Sequence, residues 1–129
     1  RISGQVSFLG HVNDIPRFLE SVDVLVHSSI RPEPMGQTVL QGLACGKPVI
    51  ATAGGGPSEW IRSGENGVLV PPGEPEALAG AMRTLADSPE LRARLAVAAA
   101  QTAGIHTDDE CMTAHAEFFR AVRRARTEL

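Results

Sequence analysis

Cysteine is nearly absent from this sequence. Only Cys45 and Cys111 occur among its 129 residues, and neither belongs to a CxxC motif or to a Cys/His pair with metal-ligand spacing. This spacing argues against a cysteine-bound metal cluster and is typical of a protein in a reducing, cytosolic setting. We therefore expect both cysteines to be buried thiols that pack as small apolar residues.

The sequence also lacks an apolar run of membrane-spanning length, a signal segment and a large excess of either charge. The first two absences predict a cytoplasmic chain that does not cross a membrane. A net charge of −3 and a pI of about 5.8 argue against a nucleic-acid partner. The arginine run at residues 120–126 is typical of a solvated helix face, and peripheral docking on the inner face of a membrane is the alternative.

The alternation of strand and helix patterns predicts the fold. A chain of 129 residues makes one domain of ordinary size. Short apolar segments bounded by turn residues predict four strands, at residues 5–9, 24–26, 49–51 and 67–70. Helix-entry signals predict helices that begin near Asp14, Gln37, Glu74, Ser88 and Asp108, with one short helical turn through Trp60 and Ile61. This order predicts an α/β fold with an open, doubly wound, parallel, Rossmann-like sheet.

Periodicity within the predicted helices indicates which residues face the core. In the helix at residues 37–45, helical spacing places four apolar side chains on one face, and Gly46 is expected to end the helix as a C-terminal cap. In the helix from Glu74, four more apolar side chains form the inner face. The two predicted inner faces are Val39, Leu40, Leu43 and Ala44, and Leu78, Ala81, Met82 and Leu85. The last helix carries Met112, Phe119 and Val122 on one side.

The segment at residues 31–50 is the most informative part of the sequence. It places Glu33 in a Pro/Gly turn just after a predicted strand, and an amphipathic helix follows from Gln37. In open α/β sheets, ligands bind outside the carboxyl ends of the strands. The first turn of a helix has unpaired N–H groups and a positive dipole end, which suit a diphosphate and the sugar attached to it. The segment therefore predicts a nucleotide or phosphate site that uses Glu33 and the amides of Met35, Gly36, Gln37 and Thr38.

A second loop is expected at the same edge of the sheet. Gly54, Gly55 and Gly56 follow the next predicted strand, so the two loops should form two walls of one pocket. The amides of the glycine loop are expected to contact phosphate or sugar, and a merely tight turn is the alternative. Glu59 and His11 are residues of types that are more often structural than ligand-binding.

The order of these motifs resembles a known family. The matching segments are FLGHV at residues 8–12, VLVHSS at 24–29, EPMG at 33–36, ACGKPVIAT at 44–52, GG at 54–55 and GENGVLVPPG at 64–73. They resemble the C-terminal, donor-binding half of retaining glycosyltransferases of the GT-B architecture. The signature of that family is a Glu, seven intervening residues and a second Glu, and here the two positions hold Glu33 and Gln41.

The resemblance implies a role for each matching residue. Glu33 would meet hydroxyls of the donor sugar, Gln41 would hold the nucleotide ribose, and His11 and Val12 would border the base. An amide hydrogen-bonds a ribose hydroxyl less strongly than a carboxylate does, so the exchange at residue 41 is expected to weaken donor binding by roughly 1 to 2 kcal/mol. The expected donor site also includes Pro34, Met35, Gly36, Gln37, Thr38, Gly54 and Gly55.

The resemblance further implies transfer of a sugar from a nucleoside diphosphate sugar to an acceptor. The family and the lack of an Asp-x-Asp cluster imply that neither a metal nor another cofactor is needed. The N-terminal acceptor domain of the family and the first strands of its donor domain are not found in residues 1–129. We therefore expect a partial donor-binding domain that is inactive alone and is completed by the rest of a longer enzyme or by another chain.

Two alternatives stay open at this point. One is a non-catalytic nucleotide-binding or interaction subunit of a glycosyltransferase-like complex, for which the amide of Gln41 is the best argument. The other is an epimerase that uses a GT-B donor pocket to hydrolyse or invert a nucleotide sugar. The sequence does not distinguish the base, the sugar or the acceptor.

Overall fold

A computed structural model describes residues 3–127 of the chain. Its centre is a parallel sheet of three strands, β1 (Leu25–His27), β2 (Val49–Thr52) and β3 (Val68–Val70), in the order β1-β2-β3. Leu25 pairs with Val49, and Ile50 pairs with Val68. All four residues of β2 are buried, as expected for a central strand with helices on both faces.

Residues 3–127 contain six α-helices and one short 3₁₀ helix besides the sheet. The 3₁₀ helix is Ser3–Gln5, and the α-helices are α1 (Ile15–Glu20), α2 (Gln37–Ala44), α3 (Gly56–Trp60), α4 (Pro75–Asp87), α5 (Pro89–Ala100) and α6 (Asp108–Thr127). Two of the residues predicted to begin helices act as N-caps. A carboxylate oxygen of Asp14 accepts a hydrogen bond from the Arg17 N–H, and the hydroxyl of Ser88 accepts one from the Leu91 N–H. Within residues 3–127, no helix combines the length and the apolar character needed to cross a bilayer.

The core has two parts, one on each face of the sheet. One part contains Val39 and Leu43 of α2 with Val49 and Ala51 of β2. The other contains Ile50 and Val70 of the sheet with Leu85 of α4 and Leu95 of α5. Because alternate residues of β2 feed both parts, the predicted doubly wound α/β architecture is confirmed.

Helix α2 ends as the sequence predicts. Gly46 adopts a positive φ of 62°, and its N–H donates to the carbonyl of Leu43, while the N–H of Lys47 donates to the carbonyl of Gly42. This pair of bonds is the Schellman motif, in which glycine adopts the left-handed conformation without steric cost. The motif returns the chain directly into β2.

The first predicted strand is wrong. Residues 6–9 are not a strand, residues 3–5 form the 3₁₀ helix, and the side chain of Phe8 is 96% exposed. A strand persists only when a neighbouring strand pairs with its backbone, and among residues 3–127 this segment pairs with none of the three strands. The alternating pattern of Val6 and Phe8 is therefore present without the sheet that it would need.

Several predicted burial assignments are also wrong. Ala44 and Met82 are exposed, although Leu43 and Leu85 on the same helices are buried. Cys45 and Cys111 are both exposed. Each lies on or beside a helix face that no neighbouring element covers, and the sequence pattern does not reveal which faces the tertiary arrangement leaves open.

Helix α6 begins with a capping box that the sequence analysis missed. The Thr107 N–H donates to a carboxylate oxygen of Glu110 at 2.7 Å, and the Glu110 N–H donates to the Thr107 hydroxyl oxygen at 3.3 Å. Hydrogen bonds from the backbone and the side chain of Thr107, aided by nearby His106, lower the pKa of Glu110. Beyond this start the helix is amphipathic, but Met112 and Phe119 of its apolar side remain 71% and 65% exposed.

Gly42 allows α2 to pack closely on the sheet. A Cβ at this position would collide with the Leu25 side chain and would lie 2.9 Å from Cγ2 of Val49. We expect Gly42→Ala to destabilise the protein by about 1 to 3 kcal/mol, because overpacking outweighs the better helix propensity of alanine. The urea midpoint measures this change.

A matched control is Gly80→Ala in α4, where an added Cβ meets nothing within 4 Å. This variant should gain roughly 0.5 to 1 kcal/mol from the loss of backbone freedom in the unfolded chain. A Gly42→Ala variant that is as stable as the unaltered chain would contradict the close-packing argument.

Candidate functional site

The loops that follow β1 and β2 meet at the carboxyl edge of the sheet. Glu33 forms an isolated parallel bridge with Gly55, and the Gly56 N–H donates to the Glu33 carbonyl at 2.8 Å. The structure thus brings together the two segments that the sequence predicts at this edge. Glu33 itself is half-buried.

The two loops lie against each other at this edge, and a pocket that both of them border stays a prediction. A Cβ on Gly55 would collide with the carbonyl oxygen of Glu33, and a Cβ on Gly56 would collide with that of Met35. Because glycine has no side chain, the two backbones come into direct contact and leave no room for a ligand between them. The loops form one continuous wall, and any ligand must lie on its outer side.

Two of the three glycine amides already have protein acceptors. The Gly54 N–H donates to the Ser58 hydroxyl at 2.8 Å, and the Gly56 N–H donates to Glu33. Gly55, which is exposed, adopts a φ of 66° and a ψ of −147°, a conformation that strongly favours glycine. Of the three amides in the glycine loop, that of Gly55 is the one left to meet the predicted ligand.

The loop that carries Glu33 is also held from β2. The Thr52 hydroxyl donates to the Ser29 carbonyl at 2.6 Å, and the Ser29 hydroxyl donates to the Arg31 carbonyl at 2.9 Å. Thr52 is buried at the end of β2. Sequence analysis missed these bonds and the role of Ser58. The sequence did contain a signal for them, because Thr52 ends an apolar strand and Ser58 follows a Gly-Pro pair. Hydroxyl side chains at such positions often bond to nearby backbone groups.

The N-terminus of α2 directly follows Glu33. Gly36 is the N-cap residue in the left-handed conformation, with φ 75°, and it supplies no side-chain cap. An added Cβ there would lie 3.1 Å from Cδ of Pro57, so α3 supports this turn from one side. On the other side, Met35 is 62% exposed, and Gln37 and Thr38 are exposed. First-turn N–H groups have no partner within their own helix, and here those of Gln37 and Thr38 belong to exposed residues, whereas Gly36 and Val39 are buried.

The remaining predicted site residues lie in three places. Pro34 is exposed within the loop, and Gln41 is half-buried in the second turn of α2, one turn after Gln37. His11 is exposed and Val12 is half-buried in the irregular segment before α1. Their contacts with a nucleotide stay predictions.

Two cavities lie near this edge or beyond it. One, of about 240 Å³, is bounded by the ends of the strands and the start of α4, and its lining includes Ser28, Thr52 and Glu74. The other, of about 280 Å³, lies between the end of α3 and the end of α5, and its lining includes Glu59 and Asn66. Neither cavity is lined by Glu33 or Gln41, and both of these residues are half-buried. Among residues 3–127, no three His, Cys, Asp or Glu side chains gather into a metal-binding cluster.

The sequence of this chain is similar to a known protein family and to individual members of it. The family model described as "Glycosyl transferases group 1" matches residues 1–102. The lipopolysaccharide core biosynthesis glycosyltransferase LpsE of Rhizobium meliloti is 42% identical over 95 residues, which are 74% of this chain and 28% of LpsE. The chain therefore spans less than a third of that relative.

Solved structures show the same similarity in three dimensions. HepE of Anabaena in complex with UDP matches with a TM-score of 0.75 and 36% identity, over 78% of this chain and 28% of HepE. HepE has also been solved in complex with UDP-glucose. Sucrose-phosphate synthase of Thermosynechococcus elongatus matches with a TM-score of 0.87 and 26% identity, over 96% of this chain and 32% of that protein.

Proposed function

This chain belongs to the group 1 glycosyl transferases, and from that premise we propose that it is the donor-binding part of a retaining GT-B glycosyltransferase. The complete enzyme moves a sugar from a nucleoside diphosphate sugar to an acceptor. The rest of the polypeptide, or a complementing chain, supplies the acceptor domain and the strands that would complete the sheet. The proposal includes no metal or other cofactor.

One observation carries the proposal most directly. The carboxylate-bearing residue Glu33 lies at the carboxyl edge of a parallel sheet, three residues before the N-cap of α2, whose first two residues, Gln37 and Thr38, are exposed. HepE, a neighbour 37% identical over 73% of this chain, was solved with UDP-glucose. A nucleotide sugar has a diphosphate that suits helix amides and hydroxyls that suit a carboxylate.

We assign roles within this donor site as follows. Glu33 accepts hydrogen bonds from hydroxyls of the donor sugar, and the amides at residues 35–38 hold the distal phosphate and stabilise the charge that develops on the leaving diphosphate. Gln41 contacts the ribose, while His11 and Val12 border the base. Pro34 and Gly54 shape the surface around Glu33, and Gly55 offers an amide to the ligand.

Calorimetry with a panel of nucleotides tests the proposal. We expect one of UDP, GDP or ADP to bind more tightly than its monophosphate, because the distal phosphate gains charge-assisted hydrogen bonds from the first turn of α2. Such bonds contribute about 1.5 to 3 kcal/mol, or roughly ten- to a hundredfold in Kd. The comparison with the monophosphate is the internal control, since base and ribose are unchanged.

A non-catalytic interaction subunit is the second candidate, and Gln41 is the observation that favours it. The second acidic position of the family signature is an amide here. A pure interaction module should show no preference among the nucleotides and no gain from the second phosphate. That result would contradict the donor-binding proposal.

A further inference from the structure

We propose that the glycine loop at residues 54–56, together with Ser58, is a positioning element for Glu33. In this proposal, which rests on the proposed function, most of the loop acts through the Glu33 backbone rather than on the ligand. The Glu33 carboxylate and the amides at residues 35–38 are then both positioned by the segment at residues 54–58.

The backbone of the glycine loop is in direct contact with the backbone of Glu33. The Gly56 N–H donates to the Glu33 carbonyl at 2.8 Å. A Cβ at Gly55 would collide with that carbonyl oxygen, and would lie 3.0 Å from C and 3.2 Å from N of the same residue. All three contacts are to backbone, which cannot move aside as a flexible side chain can. The position of Glu33 is therefore set by the absence of a side chain at residue 55.

Ser58 in turn holds the glycine loop in place through two hydrogen bonds. The hydroxyl of Ser58 accepts the Gly54 N–H at 2.8 Å, and the Ser58 N–H donates to the Gly55 carbonyl at 3.1 Å. Ser58 thus engages both ends of the strained residue pair through its side chain and its backbone. Without the hydroxyl, the Gly54 N–H loses its acceptor, and the constraint on Gly55 is weaker.

The segment that contains the glycine loop also contacts the N-terminus of α2. The Pro57 ring supports Gly36, the N-cap residue of α2, and Gly56 leaves room for the Met35 carbonyl. The segment at residues 54–58 therefore contacts both parts of the proposed donor site. A misplacement of about 1 Å in a site of this kind can cost on the order of a hundredfold in rate, so such a scaffold has a measurable effect.

A double-mutant cycle on the complete enzyme tests the proposal, and the assay is hydrolysis of the glucose derivative of the nucleoside diphosphate that binds in the calorimetric panel, with water as the acceptor of the glucosyl group. We expect Gly55→Ala to lower kcat by roughly ten- to a hundredfold, with a smaller change in KM. In a Glu33→Gln background, the same change should lower kcat several-fold less than in the unaltered enzyme, because the part of the effect that acts through the Glu33 carboxylate is already lost. Equal losses in the two backgrounds would overturn the proposal.

Matched variants separate positioning from loss of folding. Gly73→Ala adds a Cβ at a comparable positive φ of 76° with nothing within 4 Å, so it should strain the backbone without lowering kcat. Ser58→Ala is milder than Gly55→Ala because its side chain is exposed, and it should lower kcat with an unchanged Tm, while Ser58→Thr should restore it. If Gly55→Ala does not fold, the cycle is run with Ser58→Ala.

The outcomes also separate this proposal from the proposed function. If Glu33→Gln alone leaves kcat unchanged, the proposed role of Glu33 fails, and the positioning proposal falls with it. If Glu33→Gln lowers kcat while Gly55→Ala and Ser58→Ala do not, the positioning proposal alone is overturned. A loss of kcat in Ser58→Ala that Ser58→Thr does not restore also contradicts it.

Discussion

Replacement of Glu33 by Gln in the complete enzyme is expected to lower kcat by roughly a hundred- to a thousandfold, with little change in Tm. A fall in kcat of this size is typical when an enzyme loses one well-placed electrostatic contact to the transition state. Glutamine keeps the shape of the side chain and removes its charge, so the half-buried position should tolerate it. The measurement is hydrolysis, with water as the acceptor, of the glucose derivative of the nucleoside diphosphate that binds in the panel, together with thermal unfolding.

The matched control for this prediction is Glu65→Gln. Glu65 is an exposed carboxylate that lines the separate cavity between the ends of α3 and α5. The same loss of charge at that position should leave kcat within about twofold. Unchanged turnover in Glu33→Gln, or equal losses in both variants, would remove Glu33 from the proposed mechanism.

Replacement of Gln41 by Glu is expected to tighten nucleotide binding by roughly 5- to 30-fold. A charged acceptor forms stronger hydrogen bonds to ribose hydroxyls than an amide does, by about 1 to 2 kcal/mol. Gln41 is half-buried in the second turn of α2, where a carboxylate of the same length fits. Calorimetric titration with the nucleoside diphosphate that binds in the panel measures the change in Kd.

A comparison with Gln101→Glu separates this local effect from a general effect of added negative charge. Gln101 is an exposed residue at the C-terminal cap of α5, and its replacement should leave Kd within about twofold. If Gln41→Glu binds no more tightly than the unaltered protein, residue 41 does not contact the ribose. A similar gain in both variants would indicate a nonspecific charge effect.

The helix entries, the strand cores and the edge at which the site lies follow from sequence alone. Asp14 and Ser88 begin helices because their short polar side chains accept the first free N–H groups, and this signal is local. The apolar run at residues 49–51 predicts a strand, and the structure has β2 there, extended by one residue to Thr52. Glu33 lies at the carboxyl end of the sheet because it belongs to the loop that follows an apolar strand.

Other features depended on which backbones come together. Residues 6–9 have a strand pattern but no strand partner among the described residues, so the pattern alone does not make a strand. The sequence predicts two loops at one edge, yet only the tertiary structure decides that they touch and form one wall. That contact depends on missing side chains and on hydrogen bonds between residues more than twenty positions apart. Local sequence patterns determine helices, strands and their order, whereas such long-range contacts are decided only when the chain is packed.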